Sequence, residues 1–153
     1  DNTTIIAPKN AISQLGAARA VVPGETVLIG DATVEAVAAY NVGKSFHPKS
    51  ENWCGAVITL AGLRIYYAGD TDRITEMSDL KDVNVALLPV GGTYTLDAAE
   101  AAKACSMIQP ERAIPYHWGD IVGSTSDATA FADAADCEVT ILKPGESMTV
   151  EGK

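Results

Sequence analysis

At 153 residues, with 47% hydrophobic and 20% charged residues, the chain suits one domain over 1–153 that buries about two thirds of its unfolded surface. Lys+Arg 11 against Asp+Glu 20 leave a net charge of −9, which repels phosphate backbones and anionic lipid, so neither nucleic acid nor a membrane is expected as a partner. No apolar run approaches the ~18–20 residues that span a bilayer, and the start Asp1-Asn2-Thr3-Thr4 has no basic or apolar leader region, which points to a cytoplasmic protein.

Taken in order, the chain predicts a strand over 3–7 stopped by Pro8, then one or two helical turns capped by Asn10 and ended by Gly16. Pro23-Gly24 is a turn, 26–29 a strand and Gly30-Asp31 a second turn. Residues 32–40 fit a strand or a short helix by periodicity alone, and the hairpin spacing favours the strand. Residues 41–54 hold Gly43, Ser45, Pro48, Ser50 and Asn52 with little periodicity, which makes a long loop carrying His47. Strands follow over 55–61 and 63–68 around Gly62, then a short helix over 75–80 and a fully buried strand over 83–89. Gly91-Gly92-Thr93-Tyr94-Thr95 is a loop. The clearest helix is 97–108, with Ala98, Ala101, Cys105 and Ile108 on one face and Pro110 beyond its end. A strand over 112–116 delivers His117, 118–124 is a loop, and Ser126 caps a helix over 127–135. A last hairpin, 138–143 with 147–150, turns at Pro144-Gly145. This order describes an α/β layered fold with a mixed sheet.

The three cysteines, Cys54, Cys105 and Cys137, stand at unrelated spacings, as reduced thiols do, and suggest neither a disulfide framework nor a Cys-type zinc site. Cys105 and Cys137 fall within apolar patterns and read as core residues. The chain has only two histidines, His47 and His117.

The run Leu63-Arg64-Ile65-Tyr66-Tyr67-Ala68-Gly69-Asp70-Thr71-Asp72 is a β-branched and aromatic strand that ends in a carboxylate at the sheet edge. Such a group needs a pairing partner, a backbone to cap or a cation. His47, Asp70 and His117 each lie in a loop at a strand end, and strand ends on one edge converge, so residues distant in sequence can meet there. Two imidazoles and one carboxylate suit zinc, iron or manganese, with water completing the coordination. Spacing alone leaves open that His47 is a surface loop residue, His117 a core histidine and Asp70 a turn former.

Ile65 to Asp72, then Val85-Ala86-Leu87-Leu88-Pro89-Val90-Gly91-Gly92-Thr93-Tyr94-Thr95, then Ala113-Ile114-Pro115-Tyr116-His117 closely resemble, in order and spacing, the metallo-β-lactamase-fold hydrolases, nearest the L-ascorbate-6-phosphate lactonase-like branch. The resemblance implies an αββα sandwich of which this chain is the later part. The family's first metal motif, His-x-His-x-Asp-His, is absent and would lie in a segment preceding Asp1. By the same resemblance Asp70 bridges two metal ions and is catalytic, His117 binds the second and His47 the first. A hydroxide between the cations would attack a carbonyl or phosphoryl centre of a small-molecule substrate, an ester, lactone, phosphoester or amide. Tyr94 and Trp118 would lie near the mouth as substrate-binding residues or as ordinary loop packing.

With half the family's ligands absent, the expectation is a divalent transition metal, zinc before manganese or iron, held weakly or at partial occupancy until an N-terminal segment or partner chain completes the centre. An alternative is a non-catalytic, truncated domain that dimerises or binds a partner across an apolar face left bare, since loss of a strand layer exposes such a patch. Self-association is expected on that ground. A weaker reading takes Asp70-Thr71-Asp72 as the D-x-D of a magnesium-dependent phosphohydrolase. Ile74 stands where that family has Thr or Val, and the reading leaves both histidines unexplained.

Overall fold

The larger of two sheets in the computed structural model, which describes residues 3–15 and 18–151, takes its strands in sequence order. The smaller sheet comes first in the chain: β1 (Ile5–Pro8) and β2 (Ala18–Val21) pair in parallel, joined by a 3-10 turn (Lys9–Ala11) and the short α1 (Ile12–Leu15). Gly16, expected to end that helix, lies outside the described residues. Asn10 does not cap a helix; its side chain donates to Glu51 at 2.9 Å and accepts from the Trp53 indole at 3.1 Å, holding the opening segment to the loop before β5 (Cys54–Leu60).

The seven-stranded sheet adds β3 (Thr26–Ile29), β4 (Ala32–Ala38), β5, β6 (Leu63–Tyr67), β7 (Val85–Pro89), β8 (Arg112–Tyr116) and β9 (Glu138–Val139). The first four are antiparallel and the last four parallel, so the sheet is mixed. Leu60 pairs with Leu63 across Ala61 and Gly62, both with positive φ (50° and 80°), which is the type I′ turn that fits the right-handed twist of a hairpin.

Two helices cover one face. In α2 (Ala98–Ile108) the small residues Ala101, Ala104 and Cys105 are fully buried, so the helix lies close to the strands. Asp97 accepts the Glu100 N–H at its start, and Gln109 ends it with φ 54°. α3 (Thr125–Ala134) buries Ala128 and Phe131. These pack with Tyr66, Val57, Leu88 and Ala113 from the strands, and fully burying a ring such as Phe131 contributes about 1.5–3 kcal/mol. On the opposite face, β1 and β2 cover only the β3–β4 end, where Val21 meets Val27 and Ala36. Farther along that face Ile58 and Tyr67 remain 36% and 42% exposed. No helix among the described residues is long and apolar enough to cross a membrane.

Four local expectations give way. Residues 75–80 form a five-residue 3-10 turn (Thr75–Asp79), too short and polar to propagate an α-helix. Ser124, not Ser126, is the N-cap of α3, its N–H donating to Asp127 at 2.7 Å. The last hairpin is absent: β9 has two residues paired in parallel with β8, and the chain beyond holds no strand through Glu151. β2 occurs where no strand is expected.

Candidate metal centre

Because β4 runs antiparallel to β5 and β5 to β6, while β6, β7 and β8 are parallel, the connections leaving β4, β6, β7 and β8 emerge on one edge of the sheet. His47 comes from the first, Asp70 from the second, Tyr94 from the third and His117 from the fourth. The structure brings the two histidines to one carboxylate oxygen: His47 Nε2 lies 3.5 Å and His117 Nε2 3.8 Å from Asp70 Oδ2. Their side chains are 20% and 27% exposed, that of Asp70 39%.

Several local devices fix these positions. Gly69, with φ 70°, turns the chain sharply after β6, and the Tyr116 hydroxyl donates to its carbonyl, tying the β6 and β8 ends together. Thr71, fully buried, accepts the Tyr40 N–H at 3.1 Å, and the Leu96 N–H donates to its carbonyl at 2.9 Å. Both histidines hold left-handed backbones, φ 44° at His47 and 59° at His117, a conformation that costs a side-chain-bearing residue roughly 1–2 kcal/mol. The only two histidines of the sequence share this backbone conformation and face the same acid.

Asn41 sets the proton on His47. It is 7% exposed; its Nδ2 donates to the Tyr94 carbonyl at 3.0 Å, so its Oδ1 faces His47 Nδ1 at 2.8 Å and accepts the proton there. In the neutral ring the lone pair then sits on Nε2, the nitrogen on the Asp70 side. The sequence offered no signal for Asn41, an amide six positions before the histidine in an irregular loop. The Asn41 N–H also donates to the His47 carbonyl at 2.8 Å, closing that loop on itself.

His117 contrasts with this. Its Nδ1 is buried without a hydrogen-bond partner, beside Gly91, where an added Cβ would stand 2.2 Å from the His117 carbonyl oxygen. Asp72 is committed elsewhere: the Val42 N–H donates to it at 2.8 Å and Lys44 Nζ at 2.6 Å, and Lys44 also donates to the Thr95 carbonyl at 2.8 Å. Three of the edge loops are thus laced together by one lysine, and Asp72 is not free to serve as the acid of a D-x-D pair. The Tyr94 ring meets the edge of Phe46, centroids 4.8 Å apart. Trp118 packs against the core, its indole N–H donating to Pro115 at 3.2 Å. A hollow of about 340 Å³ beneath Tyr40, Lys49 and Glu76 is not lined by the histidines or Asp70.

The donor set fits a divalent transition metal in part. Separations of 3.5 and 3.8 Å are too long for hydrogen bonds. They resemble the spacing of two ligands around one ion, about 3.4 Å for donors ~2.1 Å from a tetrahedral centre. Among the described residues, however, no group of three or more His, Cys, Asp or Glu is gathered closely enough to hold an ion unaided.

The fold is thus an α/β layer with a mixed sheet, and His47, Asp70 and His117 gather at its strand ends. The family model for the beta-lactamase superfamily domain matches residues 5–118, and the chain belongs to that superfamily, with its metallo-β-lactamase fold. A protein of Nitratidesulfovibrio vulgaris (strain Hildenborough) named "UPF0173 metal-dependent hydrolase" is 34% identical over 137 residues, 84% of this chain and 55% of its own length. A crystal structure from Parabacteroides distasonis, assigned as a metal-dependent hydrolase, is 39% identical with a TM-score of 0.80, over 91% of this chain and 64% of that one. Igni18, a metallo hydrolase of Ignicoccus hospitalis, shares the fold at 23% identity and a TM-score of 0.80, over 99% of this chain and 70% of its own. The chain spans about half the length of the curated relatives it matches.

Proposed function

We propose that this chain contributes His47, Asp70 and His117 to the divalent-metal centre of a hydrolase. The observation that carries the reading is the convergence of both Nε2 atoms on one oxygen of Asp70, with Asn41 presenting the His47 lone pair to it. Two imidazoles and a carboxylate favour zinc, with manganese and iron next. A divalent cation in such a centre supplies Lewis acidity and lowers the pKa of bound water to about 7. Asp70 Oδ2 lies between the imidazoles and would be shared by both of them as a ligand, and the Thr71 and Tyr116 hydrogen bonds hold the backbone on either side of Asp70. Tyr94, whose carbonyl accepts from Asn41, is the candidate to border the approach of a small-molecule substrate, while Trp118 takes the loop-packing role.

The substrate class follows the same reading: an ester, lactone, phosphoester or amide, with a lactone first because of the resemblance to the ascorbate-6-phosphate lactonase-like branch. The shell is completed by an N-terminal segment or a partner chain. The test is hydrolysis of a lactone, a phosphodiester and an ester panel with added zinc or manganese, by the chain alone and with a complementing N-terminal segment of a relative. Turnover is expected with the complement, lost with EDTA and restored by metal. Turnover that survives EDTA, or that Asp70→Ala leaves intact, refutes the reading.

A second reading, association without catalysis, has one observation in its favour: the apolar face around Ile58 and Tyr67 that β1 and β2 leave open. A monomeric mass in light scattering removes it.

A further inference from the structure

The two cysteines that read as core residues meet. Cys105, fully buried on α2, and Cys137, half-buried between α3 and β9, lie with their sulfurs 2.7 Å apart although 32 positions separate them in the chain. A disulfide bond is ~2.05 Å long, so the two sulfurs are less than about 1 Å from covalent contact. Cys54 stands apart on β5 with the other apolar cluster, around Val27 and Ala36.

We propose that Cys105 and Cys137 are a disulfide-forming pair that links α2 covalently to the α3–β9 connection when the folded protein meets a low-molecular-weight disulfide. Entry is through Cys137, the more exposed of the two. Burial raises both thiols, and the neighbouring Cys137 raises Cys105 further, while the Cys105 S–H supports the Cys137 sulfur, so Cys137 ionises first. The Cys137 thiolate attacks one sulfur of the reagent and expels the first thiolate, forming a mixed disulfide. Cys105 then loses its proton and attacks Cys137 Sγ, expelling the second. The balance is two protein thiols plus one reagent disulfide giving one protein disulfide plus two reagent thiols: the protein is oxidised by two electrons and the reagent reduced by two. Since a link between α2 and the α3–β9 connection constrains the unfolded chain, the oxidised form melts higher.

The experiment adds oxidised glutathione to the folded chain, quenches with acid and alkylates under denaturing conditions. The expected product is lighter by two hydrogen atoms. A non-reducing digest then joins the Cys105 and Cys137 peptides, and Cys54 is alkylated. In Cys105→Ala a glutathione adduct accumulates on Cys137; in Cys137→Ala, Cys105 stays unmodified. Because either substitution alters the core, the untouched sequence carries the decisive comparison: its melting temperature should rise on oxidation and return with dithiothreitol. A bond involving Cys54, a persistent adduct on Cys137 with Cys105 still alkylated, or a melting temperature unchanged or lowered by the bond overturns the proposal.

Discussion

Replacing Asn41 with alanine removes the acceptor that holds the His47 proton on Nδ1. Two contacts go: Oδ1 to His47 Nδ1 at 2.8 Å and Nδ2 to the Tyr94 carbonyl at 3.0 Å. The His47 side chain is only 20% exposed, so water replaces the lost acceptor poorly, and the imidazole is released to the tautomer that carries its proton on Nε2. Loss of such an orienting partner lowers metal affinity ~10–100-fold, or about 1.4–2.8 kcal/mol, and each group left unpartnered costs a further ~1–3 kcal/mol of folding stability. Titration calorimetry with zinc measures the first quantity and chemical denaturation the second, while imidazole ¹⁵N shifts read the tautomer directly. Asn41→Asp keeps an acceptor for the Nδ1 proton but turns a carboxylate oxygen toward the Tyr94 carbonyl, so it should retain the tautomer while losing folding stability. An Asn41→Ala protein that binds zinc as tightly as the parent, or whose His47 keeps the same tautomer, refutes the orienting role.

Gly91→Ala should damage His117 from behind, because the new Cβ meets the His117 carbonyl oxygen at 2.2 Å and Val122 Cγ2 at 2.9 Å. A loss of about 1–3 kcal/mol in denaturant unfolding, with weakened zinc binding, is expected; an unchanged midpoint would mean the loop yields freely. Glu76 gives a pH signature. Burial favours its neutral form, but hydrogen bonds from Lys49, the backbone, Tyr40 and Thr75 outweigh burial and hold the carboxyl at about 2 against the ordinary 4.5. A depressed folded-state value stabilises the fold above the unfolded value, and that contribution fades as pH falls from 4.5 toward 2. Glu76→Gln should flatten thermal stability across that window, and an unaltered acid profile would show that the network contributes nothing.

Most strands from 26 to 116 were legible because they are apolar or alternating runs bounded by turn residues such as Gly30, Gly62 and Gly69, whereas 32–40 needed the hairpin spacing to decide between strand and helix; the strand-end positions of Asp70 and His117 follow from such runs. β2 was not: Ala18-Arg19-Ala20-Val21 has weak strand character and pairs with β1 through tertiary contact. The missing last hairpin is the converse, since residues 147–150 carry strand-like residues but find no strand to pair with. Ser124 was recoverable from the Ser124-x-x-Asp127 spacing, whereas Ser126 has no acid three residues on. Asn41 and the Cys105–Cys137 contact were beyond reach, because each joins residues whose proximity is created by loop closure or helix packing and leaves no spacing in the chain.

The central claim, that Asp70 is the shared ligand between His47 and His117, is tested most directly by metal content after zinc loading and gel filtration, in the parent and in Asp70→Ala. The account predicts weak, substoichiometric zinc in the parent chain and none above background in Asp70→Ala, with both proteins folded by circular dichroism. Equal zinc in the two proteins, or two tightly held ions per parent chain, would contradict it.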